Sequence, residues 1–102
     1  MRIYLPAGLD ALVQLRDGQS ISLPAVIPAS DDELDEFDAL TAAGEQGDAV
    51  IAADVAAAET PVNLDRVASF HFDADGSGDL AWYAPQELDE VIELLRNSAS
   101  AS

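Results

Sequence analysis

From Arg66 to Leu95 the chain spells out a strand, an acidic glycine-containing turn, a second strand and a helix opened by Pro85. No other run limits the possible folds as much. In Arg66-Val-Ala-Ser-Phe-His-Phe-Asp73, alternation puts Ala68, Phe70 and Phe72 on one face and Val67, Ser69 and His71 on the other, the signature of a half-buried strand. After Ala74 to Gly78, the residues Leu80, Trp82 and Ala84 again share a face. The pair reads as a hairpin. Setting Phe72 opposite Leu80, Phe70 opposite Trp82 and Ala68 opposite Ala84 gathers every large apolar side chain on one side. That register predicts a buried Trp82 and places Asp73 across from Asp79, a like-charge pair that destabilises unless relieved. Pro85 suits a first helical position, and Leu88, Val91, Ile92 and Leu95 follow at helical spacing, one apolar stripe to lay on the hairpin.

A chain of 102 residues is long enough for one core and too short for a second folded unit. Residues 1–97 are expected to form a single α+β domain and 98–102 a disordered tail of small polar residues. Half the residues are apolar, against 20 Asp and Glu, four Arg and a formal charge of -16. Such a charge repels phosphate backbones and anionic headgroups, so nucleic acid and membrane surfaces are excluded as natural partners. There is no cysteine, which removes disulfides, thiolate metal sites and cysteine nucleophiles. The opening Met1 to Pro6 lacks the apolar length of a signal peptide, and no window approaches the ~20 apolar residues of a membrane span. The expected location is the cytoplasm.

Arg2 to Pro6 reads as a strand, expected to lie centrally, with Ile3 and Leu5 facing one way and Tyr4 the other. Leu9, Leu12 and Val13 begin a first helix, stopped at Gly18. Gln19 to Ala29 carries Pro24 and Pro28 and is extended and irregular, with room for one short edge strand. Ser30-Asp31-Asp32-Glu33 has the form of a capping box. In the helix after it, Leu34, Phe37 and Leu40 are expected to face inward, with Gly44 and Gly47 at its end. Asp31, Asp32, Glu33, Asp35, Glu36 and Asp38 crowd its first turns, where the positive end of the helix dipole favours them. A solvated helix start is the simpler reading of these acids; a docking patch for a basic protein partner, carried by Asp31, Asp32, Glu33, Asp35 and Glu36, is the alternative. Ala49 to Val55 is a continuous small apolar run, the pattern of a central strand buried on both faces.

Four segments, Met1-Arg-Ile-Tyr-Leu-Pro6, Glu36-Phe-Asp-Ala-Leu40, Val50-Ile-Ala-Ala-Asp-Val55 and Trp82-Tyr-Ala-Pro-Gln-Glu87, occur in the order seen in a family of short, uncharacterised actinobacterial proteins, and the chain resembles that family over most of its length. Threonine is commoner there where this chain has Pro85, and the segment before the Val50 strand is usually longer. The family has no assigned activity, so the resemblance implies no functional residue.

The only imidazole, His71, shares a strand face with Ser69. Residues two apart on a strand stand roughly 7 Å from one another, so no direct hydrogen bond is expected and no catalytic residue is assigned. Paired carboxylates are too frequent in this chain to identify an acid-base pair. Neither phosphate-loop nor dinucleotide glycine motifs occur. One spacing stands above background: Asp73-x-Asp75-x-Ser77-Gly78-x-Leu80 matches the first half of an EF-hand calcium loop, with Asp79 adding a further carboxylate. The bidentate Glu of the twelfth position is replaced by Ala84, and the flanks are strands. No cofactor is required; calcium on Asp73, Asp75, Ser77 and Asp79 is the one candidate.

The sequence therefore predicts an α+β domain of two layers, a mixed sheet of four to five strands with three helices packed mainly on one face and a C-terminal hairpin followed by a helix. Its function reads as a non-enzymatic protein-interaction module using an acidic surface or a sheet edge. A weak calcium-binding domain and an enzyme of unrecognised type are the alternatives.

Overall fold

The computed structural model describes residues 1–57, 61–73 and 80–100. The elements run β1 (Arg2–Ala7), α1 (Leu9–Arg16), α2 (Glu33–Gln46), β2 (Ala49–Asp54), β3 (Val67–Phe72), β4 (Ala81–Tyr83) and α3 (Leu88–Ser100). The four strands lie in the order β1-β2-β3-β4, so the α+β class and the C-terminal hairpin-then-helix are as expected. Strand directions are not: all three pairings are antiparallel, and the sheet is not mixed. β1 lies at one end of this order, not at its centre. Its outer edge is covered, because Tyr4 and Val26 exchange both backbone hydrogen bonds, at 3.0 and 2.8 Å. Tyr4 therefore turns its peptide groups away from β2, and Pro6, two residues on, turns its hydrogen-free nitrogen the same way.

Side-chain alternation along β1 splits the core in two. Ile3, Leu5 and Ala7 join Ile51, Ala53, Phe70 and Phe72 in the larger cluster. There α1 contributes Leu12 and Leu15, and α3 contributes Leu88, Val91, Ile92 and Leu95. Tyr4, Val50 and Ala52 face the opposite way, against Ala39 and Ala43 of α2. Three layers result, α2 on one face and α1 with α3 on the other, where two layers were expected. β2 is buried on both faces through Ala53, as its unbroken apolar run predicts.

The helix ends follow local chemistry. Gly18, at φ +85°, closes α1 in a Schellman turn: its N–H donates to Leu15 and that of Gln19 to Gln14, at 3.1 and 2.9 Å. At α2 the cap is Asp32, whose carboxylate accepts from the Leu34 N–H at 2.9 Å. Ser30, the expected cap, instead accepts from the Asp32 N–H and donates to Asp35. Gly44 lies inside α2, and Gly47 is its C-cap. Pro85 opens a single 3₁₀ turn that leads into α3, and the Glu87 carboxylate accepts from the Ala84 N–H at 3.0 Å. Helical backbone continues through Ser100, past the expected boundary at residue 97.

The hairpin differs from its expected register by one residue. Phe70 opposes Tyr83, His71 opposes Trp82 and Phe72 opposes Ala81. A slip of one exchanges the faces of an entire strand. Tyr83 now packs against the larger core, and Trp82 moves to the α2 side, where it is 63% exposed. Tyrosine suits the inward place, since its ring can be buried while its hydroxyl reaches the rim. At the other end of β3 the pairing with β2 jumps from Ala52–Ser69 to Ala53–Val67. Ala68 is the extra residue of a β-bulge, and Val67 thereby joins the core face that strict alternation denied it.

Candidate functional site

An α-helix is ~10 Å across and neighbouring strands are ~4.8 Å apart, so one helix covers two strands. α2 lies on β1 and β2. Among the described residues no helix lies on the same face of β3 and β4, and along it the sheet register sets Tyr4, Ala52 and Ser69 in one row and Pro6, Val50, His71 and Trp82 in the next. Arg2 and Asp54 close the end of this face, paired at 2.6 and 3.2 Å through two guanidinium nitrogens.

Ser69 and His71 do meet. Ser69 Oγ lies 2.9 Å from His71 Nε2, although a direct bond between them was not expected from their spacing. The imidazole leans along the strand and spans a gap that shorter side chains would leave open. Burial, helped by the charge of Arg2, pushes the His71 pKa below its ordinary value. The ring is therefore neutral at pH 7 and suited to share a hydrogen with the hydroxyl. Nucleophilic chemistry would need more: Ser69 is only 5% exposed, and among the described residues no carboxylate orients the other ring nitrogen. The pair lies on β3, where His71 opposes Trp82 of β4. Nearby, burial and then the charge of Glu36 hold the Tyr4 phenol above its usual pKa. The hydrogen bond from Arg2 holds the Asp54 carboxyl below its own.

On α2 the inward positions belong to Ala39 and Ala43. Leu34 and Phe37, expected to face the core, are 73% and 62% exposed; Leu40 is partly buried. Small residues let the helix approach a sheet face already filled by Tyr4 and Val50, so the large ones turn to solvent. Asp31, Asp32 and Glu33 are exposed beside them, and Asp35 and Glu36 are half-buried. No ion pair reaches these five acids among the described residues. The acidic cluster and the exposed apolar residues thus share one helix start.

Between α2 and the nearby end of the sheet runs a groove of about 790 Å³, with Phe37, Leu40, Val50 and Leu80 among its walls. Asp73 also lines it. Asp75, Ser77 and Asp79, the other candidate calcium ligands, lie outside the described residues. Among those described, no group of three or more potential metal-ligating side chains is gathered. No helix of the described chain is long and apolar enough to cross a membrane.

Compared with family models, curated proteins and solved structures, the chain matches none. Geometry alone remains as a guide, and it brings forward two residues that the sequence had assigned to the core, Trp82 and Phe37. One signal for Trp82 was present: a Trp-Tyr pair on a strand sends one ring to each face.

Proposed function

We propose that this protein is a non-enzymatic interaction module of the cytoplasm that takes a basic, extended segment of a partner protein along the β4 edge. The observation that carries this reading is the exposure of Trp82, 63%, on a three-residue strand at the end of the sheet. Buried aromatic anchors dominate binding energies, and an exposed edge strand is a template for strand addition. A guanidinium from the partner can also stack on the indole face. Asp31, Asp32, Glu33, Asp35 and Glu36, backed by a net charge of -16, favour a basic segment and steer its approach.

The test is capture of partners from a lysate of the source cell by the wild-type protein, by Trp82→Ala, and by a variant with Asp32, Asp35 and Glu36 neutralised, each at low and high salt. The expected partner is held by the wild type, released by Trp82→Ala, and associates more slowly as salt contracts the Debye length to ~8 Å and below. A partner whose binding ignores both Trp82 and the three acids would leave the cluster a solvated helix start and the edge unused.

A further inference from the structure

Resting on the interaction reading above, we propose that the groove between α2 and the sheet seats one apolar side chain of the partner segment, a residue flanked by Arg or Lys. The groove exists because α2 presents small residues there. Ala43 packs on the sheet, and at Gly44 an added Cβ would lie 3.1 Å from Leu80 Cδ1. The missing side chain lets Leu80 close one wall, while Phe37, 62% exposed, stands at another. At about 790 Å³ the space falls in the range of ligand clefts, ~300–1,000 Å³.

Its chemistry is two-part. Phe37, Leu40, Val50 and Leu80 offer an apolar interior, and the exposed carboxylates of Glu45 and Asp48 stand on its lining. No arginine lines the groove among the described residues. An apolar residue with cations to either side complements both parts. A second copy of this chain, at -16, would bring acids against acids, and repulsion of that kind disfavours it. Leu80 directly precedes β4, so the groove wall and the strand edge are one continuous stretch of chain and can be met by one extended segment.

The probes are the fluorescein-labelled peptides Arg-Arg-Gly-Leu-Gly-Arg-Arg and Arg-Arg-Gly-Gly-Gly-Arg-Arg, titrated at low salt by fluorescence anisotropy. The leucine peptide should bind about tenfold tighter or better, the factor expected from burying its side chain. Thr41→Trp, at an exposed helix position lining the groove, should abolish that ratio. Glu45→Gln combined with Asp48→Asn should weaken both peptides. Equal affinities for the two peptides, a ratio untouched by Thr41→Trp, or no binding of either overturns the groove proposal. Trp82→Ala separates the two readings: if it weakens both peptides at a constant ratio, edge and groove both stand. If it weakens neither while the ratio persists, the groove stands and the edge reading falls.

Discussion

Trp82→Ala separates an exposed tryptophan that binds from a buried one that holds the fold together. An aromatic side chain buries ~150–250 Å² when fully enclosed, worth several kcal/mol at ~25 cal/mol per Å². Trp82 is 63% exposed, so roughly a third of that area is hidden, and part of it stays hidden in the unfolded chain. Truncation should cost about 1 kcal/mol, against ~3–5 kcal/mol for a buried aromatic. For a domain of this length that corresponds to a fall of about 4–8 °C in Tm. Urea unfolding followed by far-UV circular dichroism measures the change without relying on the indole as reporter. The wild-type emission spectrum should be that of a water-exposed tryptophan. A loss of 3 kcal/mol or more, or an emission maximum typical of a dry interior, would refute the register that pairs Trp82 with His71 and restore the one that buries it.

Gly47→Ala should destabilise by about 1–3 kcal/mol, because its Cβ would sit 2.7 Å from the Ala7 nitrogen and 2.9 Å from the Pro6 carbonyl carbon. Both are backbone atoms that cannot step aside, and urea midpoints read the effect. His71 should titrate below 6.5 by NMR, since burial disfavours its charged form. In the window between its folded pKa and ~6.5 the unfolded chain binds more protons, so stability should rise with pH there and be lost as pH falls through that window. His71→Gln should flatten that slope. Calcium at residues 73–79, the ion suggested by the sequence positions of Asp73, Asp75, Ser77 and Asp79, should bind with a Kd on the order of 10⁻³ M or poorer for want of a bidentate Glu. Amide shifts concentrated at residues 73–79 and lost in Asp75→Asn would support it, whereas small shifts spread over all the acids would leave no calcium site there.

The elements that could be read from the sequence are those where bulk and period agree. Leu88, Val91, Ile92 and Leu95 are all buried, because large aliphatics at helical spacing have no better place to go. The β2 run, apolar from Ala49 to Ala53, could only be central. The hairpin register was not legible. Leu80, Trp82 and Ala84 make as good an apolar face as Ala81 and Tyr83, and it is Tyr83 that packs against the larger core, a tertiary contact that no local pattern encodes. A bulge at Ala68 leaves no mark in alternation either, since it interrupts the period at one residue only. On α2 the hydrophobic period pointed the wrong way, as two alanines pack where Leu34 and Phe37 were expected. The candidate site inherits both difficulties: its two exposed aromatics are the residues that an amphipathic reading sends to the core.

The treatment of the two sheet ends sets how many strands this domain can recruit. At β1 the Val26 segment occupies the outer row and Pro6 has no hydrogen to offer it, so that side is already terminated. Among the described residues, β4 has a neighbour on one side only. Such a sheet has a valence of one. A strand arriving at β4 extends the sheet on that side alone, and the β1 end offers no second place for one.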